Sequence, residues 1–379
     1  MKVADSNSVF VVGPLPPPVH GASVITRSVI EFLRSARTDI VECNISPSAT
    51  VRGWQWHASR VRAYVRALFS IAAGPCGSTV YIALSGGNGL FYDLLVVLTV
   101  RLMAYRLILH HHSFDYVDRH RLAMSLLLRI APGNHIHLVL CKDMGEKLKA
   151  RYRRQLNCIQ VSNFCFFPAA QPAGIARKEL RRIGFLSNIS REKGIDRFLD
   201  VAERLAARTE LTFDIAGPFL DERTRHYVGK RLAALPSVTY HGALFGEDKQ
   251  KFYQSIDAFA FLSRYPNEAE PLVVYEAMSA GLPVVATDRG CLCEMIDSEG
   301  AVMLDRNGDD IDIVVDRLAE WNDKPDLYVM ACTGSARSIA RLNSTRASQL
   351  SALFSALHAG LPAPDGPTSP AEAPVSSGA

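Results

Sequence analysis

The stretch Asn267-Glu268-Ala269-Glu270-Pro271-Leu272-Val273-Val274-Tyr275-Glu276-Ala277-Met278-Ser279-Ala280-Gly281-Leu282-Pro283-Val284-Val285-Ala286-Thr287 sets two carboxylates, Glu268 and Glu276, on one loop-to-helix corner. Glu268 stands in a proline-containing turn after the apolar run Ala258 to Leu262. Glu276 falls about one turn into the helix that closes at Gly281-Leu282-Pro283. Carboxylates accept hydrogen bonds from vicinal hydroxyls, and the N-terminus of the same helix offers amides to a phosphate. A sugar nucleotide carries both groups.

The rest of the chain alternates strands and helices. Val9-Phe10-Val11-Val12 reads as a buried strand, followed by a Pro/Gly loop and a helix from about Ser23 to Arg34. The pattern returns at Thr79 to Leu84, with Gly86-Gly87-Asn88-Gly89 opening a helix from Leu90 to Ala104, and strands follow at Leu107 to Leu109 and His137 to Leu140. A second unit starts at Arg182, with strands at Ile183 to Leu186, Leu211 to Ala216, Val238 to Tyr240, Ala258 to Leu262 and Pro283 to Ala286. Helices are expected between them at Ile195 to Arg208, Asp221 to Ala234 and Asp248 to Ser255. A chain of 379 residues exceeds one ordinary core, so two doubly wound α/β domains are expected, joined near Phe167 to Arg177.

Two further landmarks bracket the first stretch, Gly13-Pro14-Leu15-Pro16-Pro17-Pro18-Val19-His20-Gly21-Ala22-Ser23 and Gly184-Phe185-Leu186-Ser187-Asn188-Ile189-Ser190-Arg191-Glu192-Lys193-Gly194-Ile195-Asp196. With them the chain resembles, over nearly its whole length, the retaining glycosyltransferases of the Glu-x7-Glu type, the family-4-like glycosyl transferases of group 1. The resemblance implies a GT-B fold, two Rossmann-like domains facing a central cleft. It places the acceptor-side domain at 1–170 and the nucleotide-sugar domain at 171–334, then a helix at 335–360 that crosses back onto the first domain. The Pro/Ala/Ser/Gly tail at 361–379 reads as disordered. The implied reaction moves a hexosyl group with retention from a nucleotide-sugar, a co-substrate, to a saccharide acceptor, with neither metal nor cofactor.

The same resemblance assigns roles. Lys193 meets the donor diphosphate, Glu276 the ribose hydroxyls, Glu268 the donor sugar, and Gly21 a backbone approach to the donor. One of His111 and His112, in the run His110-His111-His112 at a strand's carboxyl end, lies near the transferred sugar. Leu272 and Val273 offer amides to the donor. Glu294 sits where relatives end a Gly-Gly-x-x-Glu, with helix capping as its plain alternative. Two departures stand out. Asn188 replaces an arginine five residues before the lysine, so Arg191 or Arg264 is expected to supply the missing charge. Glu270-Pro271 replaces a glycine-rich turn, and Glu270 reads as a donor-selectivity residue or, more simply, as an exposed loop carboxylate.

Charge is uneven. Residues 1–170 hold 19 Lys and Arg against 9 Asp and Glu (+10), and residues 171–379 hold 23 against 29 (−6). A basic half favours an anionic partner, and with no nucleic-acid-binding signature an anionic membrane is expected rather than nucleic acid. Arg60, Arg62 and Arg66 with Trp54, Trp56 and Tyr64 suit a helix lying on that surface, as well as an ordinary solvated helix. Asp93, Arg101 and Arg106 interrupt the apolar stretch Leu90 to Leu109, which favours a core helix running into a strand over a spanning helix. The eight cysteines lack Cys-x-x-Cys spacing and no secretory leader is recognised, so reduced thiols in a cytoplasmic protein, peripheral on the plasma membrane, are expected. The acceptor is then expected to be lipid-linked, of the polyprenyl-diphosphate kind, in bacterial surface-polysaccharide assembly. Two rivals remain: a nucleotide-sugar epimerase on the same scaffold, and a catalytically silent nucleotide-sugar-binding protein favoured by Asn188.

Overall fold

The computed structural model describes residues 8–47, 53–167, 177–305 and 310–358. The tail at 361–379 and most of the expected linker lie outside them. The first sheet comprises β1 (Val9–Gly13), β2 (Ile40–Asn44), β3 (Thr79–Leu84), β4 (Arg106–His111), β5 (Ile136–Val139) and β6 (Cys158–Gln160), ordered β2-β1-β3-β4-β5-β6. The second comprises β7 (Arg182–Leu186), β8 (Thr212–Ala216), β9 (Val238–Tyr240), β10 (Ala258–Phe261), β11 (Val284–Thr287) and β12 (Ala301–Leu304), ordered β12-β11-β10-β7-β8-β9. Every pairing is parallel, with Val9 opposite Thr79 in one sheet and Phe259 opposite Val284 in the other. Helices cover both faces, and β1 and β3 are buried at every residue, which is why they read as unbroken apolar runs. This is the α/β two-domain architecture of GT-B proteins.

Each sheet reverses its strand order once, between β1 and β3 in the first and between β7 and β10 in the second. Loops leaving two such neighbouring strands diverge to opposite faces and open a crevice at the carboxyl edge, where ligands of open α/β sheets bind. The loop after β7 carries Asn188 and Lys193, and the loop after β10 carries Glu268. They pass close together at Gly194, whose φ is +89° and where a Cβ would stand 2.1 Å from the Leu262 carbonyl oxygen. No L side chain fits there.

The domains are bound by more than a linker. Helix Pro325–His358, 34 residues and about 50 Å long, begins in the second core at Tyr328 and Ala331 and ends in the first at Leu353, Ala356 and Leu357. Ser335 Oγ donates to the Leu282 carbonyl at 2.7 Å near its start, and Arg106 Nη2 donates to the Ala356 carbonyl at 2.8 Å near its end. Phe164 and Phe167 of the first domain pack on Tyr275 of the second, at ring separations of 5.8 and 5.7 Å. The expectation that all cysteines are free thiols is corrected: Cys141 and Cys291, with Cα atoms 5.8 Å apart, form a disulfide between the domains. Their separation of 150 residues leaves no spacing signal.

Replacing Gly194 by alanine forces a Cβ into backbone. The substitution is expected to cost about 2 kcal/mol or more in denaturant unfolding. A midpoint indistinguishable from wild type contradicts the crossing described here.

Candidate active site between the domains

Lys193 and Glu268 meet at the β7/β10 reversal. Lys193 Nζ lies 2.6 Å from Glu268 Oε2, which also accepts from Ser263 Oγ at 3.0 Å, and the Tyr265 ring lies 4.5 Å from the ammonium. Ser190 Oγ accepts the Lys193 amide at 3.2 Å and fixes the turn. Both side chains are only partly exposed, 21% for Lys193 and 10% for Glu268, so the ammonium is held in a setting that rewards a second anion. Next along the corner, Leu272 and Val273 open helix Leu272–Ser279, whose N-cap Pro271 supplies no side-chain cap. Their amides have no acceptor within the helix, as at any helix N-terminus, and could donate to an anion.

Glu276 is oriented by helix Gly246–Ser255, a contribution that no local motif announces. Tyr253 OH donates to it at 2.9 Å and Lys249 Nζ pairs with its other oxygen. Asn188 is exposed, with its carbonyl accepting from Ser187 Oγ. The two arginines expected to compensate for Asn188 have partners of their own. Arg191 stacks on the Tyr227 ring at 4.3 Å, and Arg264 donates to Asp196 and to the Arg191 carbonyl, so both are held within the second domain.

The first domain meets this corner through Ser113, whose hydroxyl donates to Asn267 Oδ1 at 2.8 Å, and through Gly86, where a Cβ would stand 2.4 Å from the same oxygen. Neither Ser113 nor Asn267 was singled out by sequence, although both adjoin residues that were. Gly21 is the exposed first residue of helix Gly21–Ser35, capped by His20, and a Cβ there meets nothing within 4 Å. Its lack of a side chain therefore serves no packing within the protein.

The three histidines separate. His110 is buried against Tyr81 OH, and His111 is buried with Nδ1 bonded to Tyr116 OH at 3.1 Å and Nε2 to His137 at 2.8 Å. Burial, with neighbouring histidines, pushes His111 down to about 3. It is a satisfied core residue. His112, half-buried just beyond β4, is pushed by burial down to about 4, so its imidazole is neutral at physiological pH.

Glu270 and Glu294 turn away from the corner to tie the domains. The exposed reading of Glu270 is corrected: it is 7% exposed, accepts from Ser162 Oγ and from the Asn163 amide at 2.5 Å, and burial pushes it up to about 7. Glu294 accepts the amides of Lys142 and Asp143 at 3.1 and 2.6 Å, capping first-domain helix Lys142–Tyr152 from the second domain. A cavity of about 240 Å³ opens beside these contacts, lined by Ser162, Glu270, Glu294, Arg341 and Gln349. None of Lys193, Glu268 and Glu276 lines it, so it belongs to the seam between the domains and not to the Lys193–Glu268 corner.

Glu270 also sets a pH dependence. Its folded pKa lies above that of a free carboxyl, so its contribution to stability is complete below about pH 4.5 and is lost as pH rises through about 7. Glu270→Gln, which mimics the protonated form, is expected to gain stability relative to wild type between pH 5 and 8, by at most about 3 kcal/mol. Denaturant curves at four pH values measure this, and parallel profiles for the two proteins refute it.

Comparison with known proteins bears on the fold and the family. Residues 169–331 match the family model of glycosyl transferases group 1. The chain is 30% identical over 108 residues to a GDP-mannose-dependent alpha-mannosyltransferase of Mycobacterium tuberculosis, covering 28% of this chain and 25% of that one. It is 30% identical over 178 residues to a sulfoquinovosyl transferase of Arabidopsis thaliana, covering 46% and 30%. It thus spans about a quarter to two-fifths of the curated relatives it matches. Anabaena HepE, solved with UDP-glucose, superposes with a TM-score of 0.67 at 12% identity over 92% of this chain and 99% of that one. Sucrose-phosphate synthase of Thermosynechococcus elongatus does so with a TM-score of 0.67 at 13% identity, over 92% and 98%. At such identities the superpositions establish the fold. The GT-B fold and the match over residues 169–331 together support a group 1 glycosyltransferase.

Proposed function

We propose that the protein transfers a hexosyl group, with retention and without a metal, from a nucleotide-sugar to a saccharide acceptor bound across the cleft. One observation carries this reading: Lys193 and Glu268, from the two loops at the β7/β10 reversal, touch each other, and Glu268 stands four residues before the N-terminus of helix Leu272–Ser279. A diphosphate entering there takes Lys193 from Glu268 and accepts the Leu272 and Val273 amides. Negative charge grows on that diphosphate as the glycosidic bond breaks, so a cation and fixed amides stabilise the transition state more than the ground state. Glu268, released, accepts from the sugar hydroxyls. Neutral His112 exchanges hydrogen bonds with the transferred sugar without adding charge. Glu276, oriented by Tyr253 and Lys249, accepts from the ribose.

We extend the proposal to an acceptor carried on a polyprenyl diphosphate at the cytoplasmic face of a membrane, in surface-polysaccharide assembly. The basic first domain supports this, as its charge favours an anionic surface.

Incubation with UDP-, GDP-, ADP- and dTDP-sugars and membrane-extracted acceptors tests the reading, with the anomeric configuration of the product followed by NMR. Retained configuration is expected, and inversion or interconversion of the sugar without transfer refutes it. Lys193→Ala is expected to lower kcat by roughly two to three orders of magnitude with a smaller effect on donor affinity. More than about half of wild-type turnover would assign the diphosphate to another cation. Glu276→Ala is expected to act mainly on KM, because ribose hydroxyls carry no developing charge. Unaltered donor affinity with collapsed turnover rules out the ribose role.

A further inference from the structure

We propose that three helices of the first domain form an apolar, arginine-rimmed face that docks on an anionic lipid bilayer. Helix Leu90–Leu102 exposes Phe91, Leu95, Leu98 and Leu102, spaced so that they form one stripe, while Val96, Val97 and Val100 fill the core behind it. It packs against helix Trp54–Ala72 on one side and helix Leu122–Ile130 on the other. The first neighbour extends the stripe with Val65 and Phe69, and the second with Leu122 and Leu126. Phe69, Leu102 and Leu122 are 73%, 75% and 75% exposed. Isolated apolar residues are ordinary on a soluble surface, but adjoining rows of them on three packed helices mark a place of contact.

Charge selects the partner. The three helices carry five arginines, Arg60, Arg62, Arg66, Arg101 and Arg129, and a single acid, Asp93, which is wholly buried and bonded to Tyr64 OH at 2.9 Å and to the Ser85 amide at 2.8 Å. No carboxylate is therefore exposed on these helices. Leucine and phenylalanine at the headgroup boundary with arginines against lipid phosphates is the arrangement of an interfacial face. A second copy of the chain, packed symmetrically, would set one arginine rim against the other.

The structure redraws which residues serve. Arg60 is turned inward, its guanidinium 5.2 Å from the Tyr92 ring and 5.5 and 5.9 Å from those of Trp56 and Tyr64, so it belongs to the packing under the face. Arg62 and Arg66 are exposed beside Val65. The stripe begins at Phe91, just past the turn Gly87–Gly89, whose neighbour Gly86 touches Asn267 at the cleft. Docking thus brings the cleft mouth towards the headgroups. This surface goes beyond the transfer reaction and is tested without a donor.

Full-length protein, Leu98→Ser/Leu102→Ser and Arg62→Gln/Arg66→Gln are co-sedimented with vesicles of phosphatidylglycerol and phosphatidylcholine, and with phosphatidylcholine alone. Wild type is expected to bind the anionic vesicles, weakening with salt, and to bind neutral ones poorly. The arginine pair is expected to lower affinity roughly thirtyfold and the leucine pair at least roughly tenfold, with thermal midpoints unchanged because the altered side chains are exposed. Equal pelleting of all three proteins overturns the proposal, as does equal binding to both vesicle types. A wild-type dimer in light scattering that Leu98→Ser/Leu102→Ser converts to monomer, without vesicle binding, assigns the face to a second copy and also overturns it.

Discussion

A lysine on the loop after β7 and a glutamate on the loop after β10 stand 2.6 Å apart because parallel strand order reverses between those two strands. Everything placed near them follows from that reversal. The loops diverge, the crevice opens at the carboxyl edge, and the helix that follows Glu268 begins with amides that have no acceptor within it. The close passage at Gly194 holds the lysine loop against β10, so the ammonium is positioned by backbone geometry instead of by its own flexible stem. An ion pair of this kind is a resting arrangement. It orients Glu268, and it keeps an ammonium in place for an arriving phosphate that outcompetes one carboxylate in charge.

The cleft is equally defined by what closes its far side. Helix Pro325–His358, the Phe164–Tyr275 contact, Glu270 on the Ser162–Asn163 turn and Glu294 on the Lys142 helix all cross from one domain to the other. Glu270 and Glu294 lie in the sequence between and beyond the donor-side acids, yet they serve the seam. Acids of one short region therefore divide: Glu268 pairs with Lys193 and Glu276 with Lys249 and Tyr253, while Glu270 and Glu294 tie the two domains together.

Local signals were legible in the sequence and distant ones were not. Glu268, Glu276 and Lys193 belong to motifs whose spacing is set by one turn, and the central strands β1, β3, β4, β7 and β10 are apolar runs because helices cover both their faces. The strands β2, β6 and β12 were not read, since each is an edge strand with half-exposed residues and a diluted apolar pattern. Glu270 was read as exposed because its partners lie 107 and 108 residues away, and the cysteine pair spans 150. Arg60 illustrates the same limit on one helix: its charge suggested a surface, while three rings from two helices draw it inward. His111 was equally ambiguous until Tyr116 and His137 were seen to satisfy both its nitrogens.

The most direct test of the account is a crystal structure with a nucleoside diphosphate bound. The β-phosphate is expected within hydrogen-bond reach of Lys193 Nζ and of the Leu272 and Val273 amides, with the Lys193–Glu268 pair opened and the ribose on Glu276. A diphosphate bound elsewhere, or bound with the Lys193–Glu268 pair intact, would contradict it.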